Sequence, residues 1–459
     1  HSSNHAYHGA NLYHQRLLNS FMARLLYSLL LTLLLPLLLT RLFIKGSSDN
    51  RYRRNIGDRL GKVTRYLGKI DVWIHAVSVG EVNAATPLVT AFQTKRPRCR
   101  ILITTTTPTG LDQVTVRLGD RVVHCYLPFD HPFFIARFLR IISPRLLIIM
   151  ERELWPNIIH GCHKRSIPVV IANARLSHRS CHRYARVLPL IRPTLAIVSA
   201  VAAQTEADRS RLMTLGAHPD RVLTTGNIKY DVTVPTKTMD TARSMRQDWG
   251  CHRLIIVAGS THEGEEAVLL DILDPLREHY PGLLLILAPR HPERFDAVFH
   301  LVKDRGFNTH RHGDGSTVVP PSAEVHLRDS MGELPLLYAA ADVAIVGGSL
   351  IKIKGIGGHN LLEPCAVATP VLFGQYILDF LEIGHNIVKR EAGIQVHDPN
   401  ELSNTLKKLL NDDALRSRMG VNGLQVIKEN RGATQRTLEL CMPLIESDLL
   451  VKEHKHASP

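Results

Sequence analysis

Ser78-Val-Gly-Glu81, within "AVSVGEVNAATPL", follows the apolar run Val72-Trp73-Ile74. This order predicts a strand that breaks at Ser78 and a helix that starts around Glu81. Two chemistries fit the carboxyl. Ser-x-x-Glu is the sequence of a capping box, in which the Glu only satisfies a backbone donor. A carboxylate at a strand exit is also placed to take a proton from an attacking hydroxyl. These residues alone leave both open. The spacing recurs in Ser260-Thr-His-Glu263 after "IIVAG", in Ser330-Met-Gly-Glu333 after "EVHLRD" and in Asn360-Leu-Leu-Glu363 after "ADVAIVGG". Another run, "LLLILA", leads into Pro289-Arg290-His291. Helix N-termini gathered at strand exits offer backbone N–H groups and positive dipole ends, a setting that favours an anion such as a nucleotide phosphate.

The elements that must hold these residues alternate. After Asp71 the first half gives "VWIHAV", "RILITTTT", "RVVHCYLP", "RLLIIM", "IPVVIAN" and "LAIVSAVAAQ"; the second gives "RLIIVAG", "LLLILAP", "VVPPSAEVHLR", "ADVAIVGG" and "TPVLFG". Runs apolar on both sides and separated by helical stretches indicate parallel strands covered on both faces. Each half is therefore expected to be a doubly wound α/β, Rossmann-like domain, the two facing across a cleft. The seam falls in Gly226 to His252, where β periodicity stops. Neither half carries G-x-G-x-x-G with an acidic residue downstream, and no Walker A sequence is present, which disfavours a dehydrogenase or a P-loop enzyme.

The 459 residues suit two domains, and 44% hydrophobic with 21% charged content is ordinary for a globular core. A net charge of +14 asks for an anionic partner; three Trp and no basic-aromatic interleaving make nucleic acid the weaker choice. The seven cysteines are scattered and free of CxxC, as reduced cytoplasmic thiols would be. His160-Gly-Cys162-His163 lacks a second half for metal binding and is expected on a helix surface. Residues 1–21 look like a tag or leader. Residues 22–45 include "LLYSLLLTLLLPLLL", short of the roughly 20 apolar residues of a full span unless Arg24 and Arg41 snorkel, and read as a membrane anchor. Arg41, Lys45, Arg51, Arg53, Arg54, Arg59 and Lys62 follow, which keeps the remainder cytoplasmic by the positive-inside rule. Residues 46–232 are then expected to form one domain and 233–459 the other. Two such domains and an anchor suggest a glycosyltransferase of the GT-B type acting on a lipid.

The stretches "HAVSVGE", "TTTTPTG", "YLPFDHP", "MERELWPN", "VIANARLS", "STHEGEE", "LILAPRHPERF", "DSMGELPLLYAAADVAIVGGSL" and "GGHNLLEP", in this order, resemble the bacterial 3-deoxy-D-manno-octulosonic acid (Kdo) transferases of lipopolysaccharide assembly. The resemblance implies inverting transfer of Kdo from CMP-Kdo to a lipid A precursor (lipid IVA) at the inner membrane, with its anionic lipids, and no cofactor or metal. It implies that the first domain binds the acceptor and the second the CMP-sugar. It implies Glu81 as general base, and Pro289, Arg290, Met331, Gly332, Glu333, Asn360, Leu361, Leu362 and Glu363 as contacts of CMP. Glu151, Glu153 and Arg175 are candidates on the acceptor side, and Ser260 and Thr261 near the phosphate. Glu333 and Glu363 could each instead be an N3 cap, and Trp155 core packing. The basic cluster from Arg51 to Lys62 could meet lipid phosphates or be an ordinary solvated face. Arg152 and the longer link Ile351–Ile356, with Lys352 and Lys354, depart from the family pattern. The alternatives are another GT-B enzyme, such as a UDP-sugar transferase or nucleotide-sugar epimerase, and a non-catalytic membrane-bound nucleotide-sugar-binding scaffold.

Overall fold

The computed structural model describes residues 2–53, 55–63, 69–314 and 318–456, with side chains from 18 to 446 apart from 48 and 314. Arg54 of the basic cluster lies outside the described residues. The chain divides into two units, one made of His1–Asp231 and Gly432–Pro459, the other of Val232–Arg431.

The first unit is built on a seven-stranded parallel sheet: β1 (Val72–His75), β2 (Ile101–Thr105), β3 (Val123–Tyr126), β4 (Leu146–Met150), β5 (Val169–Ala174), β6 (Ala200–Ala203) and β7 (Val222–Thr224). Their order is β3-β2-β1-β4-β5-β6-β7. The apolar runs are continuous because both faces are covered. Trp73, Leu102, Leu147, Ile149 and Ile171 face one core, while Val72, Ile74, Ile101, Ile103, Ile148 and Met150 face the other. The second unit repeats the plan with β8 (Ile255–Thr261), β9 (Leu284–Pro289), β10 (Thr309–Arg311), β11 (Val325–Leu327), β12 (Val343–Val346), β13 (Val371–Phe373) and β14 (Gly393–Gln395), in the order β10-β11-β9-β8-β12-β13-β14. The direction in which strands are added reverses between β1 and β4 in one sheet and between β8 and β12 in the other. Such switch points are where open α/β sheets bind ligands.

Several expectations are corrected. The last helix, Ala433–His456, belongs to the first unit, not to a domain running to 459. Leu438, Cys441 and Ile445, spaced for one helix face, are buried in the core beside Ile74 and Val170. The Asp231 carboxylate fixes the start of that helix, accepting the N–H groups of Gly432 and Thr434 at 2.6 Å each. In "LAIVSAVAAQ" the strand is only Ala200–Ala203, because Leu195 and Ala196 end a helix that begins at Leu188. Cys162 is fully buried in the core and not on a helix surface.

One helix, Ser2–Ser48, runs without interruption through the boundaries expected at 21/22 and 45/46. Within it Leu18–Ser47 is long and apolar enough to cross a membrane, by length and composition. One stripe of this helix is docked on the first unit. The Tyr27 hydroxyl donates to Asp130 at 3.0 Å, Ser28 and Asn157 are bonded at 3.1 Å, and Thr32 meets His131 Nε2 at 3.1 Å. Asp130 also accepts the N–H groups of Asn157 (3.0 Å) and Ile158 (2.7 Å), so it caps the helix Pro156–His163. Leu26, Leu29, Leu30, Leu33 and Leu37 are exposed.

Candidate active site

In the first unit, the residues that leave β1 and β4 converge at the switch point. Ser78 has the extended backbone of an N-cap, and the helix Val79–Lys95 follows, so Glu81 lies in its first turn. Only part of a capping box forms. Ser78 makes no side-chain cap bond, and the Glu81 carboxylate accepts the Val77 N–H at 2.7 Å through Oε2. Glu81 is 7% exposed. Burial pushes its pKa up to about 8; the Val77 N–H pulls it down, Glu151 and Glu153 add to the rise, and Arg152 opposes it. Such a carboxyl is poised to exchange a proton near neutral pH, which an exposed cap is not.

Glu151, the residue after β4, has a left-handed φ of 57°, a conformation a non-glycine residue holds only where its surroundings over-determine it. Burial raises the Glu153 carboxyl above its usual range. Trp155 is partly buried against the core, with its Nε1 unpartnered, and its edge meets His75. Arg175 follows β5, half-buried, and forms no ion pair among the described residues.

Much of the expected basic cluster is otherwise engaged. Arg51 pairs with Asp49 and Asp112, and Arg53 donates to the Phe43 carbonyl at 3.0 Å. Arg59 is buried, stacked 4.1 Å from the Tyr126 ring centre and bonded to the Thr106 carbonyl. A buried, stacked guanidinium cannot reach a headgroup, so Arg59 drops out of any lipid-facing cluster.

In the second unit the switch point gathers the ends of β8 and β12. Ser260 is buried at φ 56°, where the β8–β9 register shifts, and Thr261 is fully buried with its hydroxyl unpartnered. Ser260-x-x-Glu263 is no capping box, since β8 runs to Thr261 and the helix starts at Glu265. The buried Glu265 carboxylate instead accepts four backbone N–H groups: His262 (3.0 Å), Gly348 (2.7 Å), Ser349 (3.0 Å) and Leu350 (3.0 Å). It thereby ties the loop after β12 to the loop after β8. Arg290 leaves β9 with its N–H bonded to the Thr261 carbonyl at 2.9 Å. The side chain is half-buried, beside His262 and His359, and has no ion pair among the described residues.

Met331 is half exposed, and Gly332 sits at φ 86°, a turn that favours glycine. Glu333 is not an N3 cap. It is the N-cap residue of the helix Leu334–Ala339, makes no side-chain cap bond, and pairs with Arg328 through two bonds of 2.9 Å and with Ser330. Burial alone would raise its pKa; Arg328 and Ser330 overcome that and hold it low. Asn360 accepts the Leu362 N–H at 3.1 Å and donates to Glu363 at 3.2 Å. Leu361 and Leu362 are fully buried, and the Leu362 N–H is taken up by Asn360. Lys352 and Lys354 are exposed on the longer link. Among the described residues no group of three or more His, Cys, Asp or Glu could hold a metal ion.

The residues that sequence reasoning passed over are His262 and His359, whose Nε2 atoms lie 2.7 Å apart. Both stand inside quoted motifs, "STHEGEE" and "GGHNLLEP", which is the only signal the sequence offers.

The family model described as "3-Deoxy-D-manno-octulosonic-acid transferase (kdotransferase)" matches residues 54–232. The chain is 42% identical to the 3-deoxy-D-manno-octulosonic acid transferase of Haemophilus influenzae over 87% of its own length and 93% of the relative's. It is 35% identical to that of Bordetella pertussis, over 80% and 86%. Among solved structures, the UDP-GlcNAc 2-epimerase of Neisseria meningitidis superposes on 82% of this chain and all of its own with a TM-score of 0.52 at 16% identity, a likeness of GT-B-like fold alone. The chain therefore belongs to the 3-deoxy-D-manno-octulosonic-acid (Kdo) transferase family and is a glycosyltransferase.

Proposed function

We propose that this enzyme moves Kdo from CMP-Kdo to a hydroxyl of a lipid A precursor by single displacement with inversion, with Glu81 as the general base. The observation that carries this reading is the buried Glu81 carboxyl, held by one N–H and raised to about 8, at the switch point of the first unit. Its second oxygen has no bonded partner among the described residues, so it is free to accept the acceptor's proton. Glu151 and Glu153 keep the local field negative, which strengthens the base once it is ionised. Arg290, Met331 to Glu333 and Asn360 to Glu363 hold the CMP moiety. Arg290 brings a forked cation to the phosphate, and the exposed 332 turn brings backbone N–H and C=O groups. Inversion needs a carboxylate for the attacking hydroxyl and charge stabilisation on the departing phosphate, the roles assigned here to Glu81 and Arg290.

The test is product formation from CMP-Kdo and lipid IVA across pH. With donor saturating, kcat/KM for the lipid rises about tenfold per pH unit up to about pH 8 and then levels, because only the ionised base acts. A profile flat from pH 6 to 9 removes Glu81 from this role.

The N-terminal helix is proposed to lie along the membrane surface, because Tyr27, Ser28 and Thr32 hold one stripe of it on the protein. Its outward leucines enter the lipid, each contributing roughly 1.5–3 kcal/mol when fully buried. Leu26→Glu with Leu33→Glu, at side chains 67% and 68% exposed, leaves the fold intact and moves the protein from the liposome pellet to the supernatant. Unchanged pelleting contradicts this placement.

A further inference from the structure

The imidazoles of His262 and His359 are 97 residues apart in sequence and meet at the β8–β12 switch point. Their rings are parallel within 3° with centroids 5.0 Å apart, while the two Nε2 atoms are 2.7 Å apart. The two ring radii plus the N···N distance account for the whole centroid separation. The rings therefore meet edge to edge in a linear hydrogen bond, not face to face. One proton is shared along that line. A neutral imidazole has one donor and one acceptor nitrogen, so a ring that donates through Nε2 keeps a bare Nδ1, and its partner carries Nδ1–H. Neither Nδ1 has a hydrogen-bond partner among the described residues. The pair thus offers one donor and one proton vacancy.

Its surroundings are set for an anion. Arg290 bears on both rings and has no ion pair among the described residues. The groups facing His262 are His359, His291, Arg290, Arg294 and Glu266, with Glu265 on its backbone N–H; those facing His359 are His262, Arg290 and His291. Arg294 is tied to Glu266 by bonds of 2.7 and 3.1 Å, so the net field on the pair is cationic. Burial first, and that field second, hold both imidazoles far below their usual range, at about 4 and about 3, and hence neutral at pH 7.

We infer that the His262–His359 pair is a proton-coupled contact for the donor's phosphate: binding of the anion draws one proton onto the pair, which then presents two Nδ1–H donors and a positive charge. The proton comes from solvent and sits on the Nδ1 that was bare; no covalent bond changes. An incoming negative charge offsets the cationic field, the second cause after burial that keeps the pair neutral, and so raises its proton affinity. This rests on the reading of the second unit as the CMP-binding side.

The test is titration calorimetry of the full-length protein with cytidine 5′-(methyl phosphate), whose phosphodiester does not titrate near neutrality, in two buffers of very different ionisation enthalpy. Proton uptake on binding is expected to grow as pH falls from about 7.5 toward about 5.5, approaching one proton per ligand, with affinity falling by up to about tenfold per pH unit as pH rises through that range. His359→Asn and His262→Asn abolish the uptake and flatten the pH dependence. Binding with no proton uptake by the parent protein overturns the coupling while leaving the donor site in place, as does uptake that persists in both variants. Absence of binding overturns the donor-site reading and this inference together.

Discussion

Glu81→Gln retains the fold and loses about a hundredfold to ten-thousandfold in kcat, the range of a positioned general base. The substitution separates the two roles that Ser78-x-x-Glu81 leaves open. A Gln carbonyl still accepts the Val77 N–H that Oε2 accepts now, so the helix start is preserved. The amide cannot take a proton from a hydroxyl. Stability follows the sign of the pKa shift. The folded carboxyl titrates near 8 and the unfolded one near 4.5, so between those values the folded state holds a proton that the unfolded state has lost. Stability therefore declines as pH rises through that window. Gln removes this cost, and the variant's thermal midpoint at pH 8 is at or above that of the parent. Near-normal turnover in a folded Gln variant leaves Glu81 as an acceptor for Val77 alone.

Arg290→Ala weakens CMP binding by roughly 10- to 150-fold, since a charge-assisted hydrogen bond contributes about 1.5–3 kcal/mol and each 1.4 kcal/mol is tenfold. Arg290→Lys recovers only part of this, because the point charge remains but the two-pronged geometry does not. The variant has a second signature. Arg290 depresses both His262 and His359, so removing the cation raises the pKa of each imidazole, a change read from their proton resonances during titration. Donor affinity unchanged in Arg290→Ala places the phosphate elsewhere.

The parallel strands were legible because burial on both faces leaves unbroken apolar runs such as Leu146–Met150 and Leu284–Pro289. Val222–Thr224, Thr309–Arg311 and Gly393–Gln395 were not, since each is a three-residue strand at or next to a sheet edge with a mixed pattern. The apolar face of Ala433–His456 could be read, but nothing local says which unit it covers; the Asp231 cap and the core around Ile74 decide that. At the site, Arg290 stood out as a cation directly after a buried strand, and Glu81 as an acid in the helix turn that follows one. Three of the four donors converging on Glu265, and the His262–His359 bond, span more than eighty residues and are brought together only by the β8–β12 pairing. The N3-cap alternative for Glu333 failed because Ser-x-x-Glu spacing is blind to a competing cation, here Arg328.

Mass spectrometry of the lipid after incubation with CMP-Kdo tests the account most directly. The expected result is lipid IVA carrying added Kdo, with CMP released in equal amount and the product absent with Glu81→Gln. Consumption of CMP-Kdo with the lipid unchanged, or product formed equally well by the Gln variant, contradicts it.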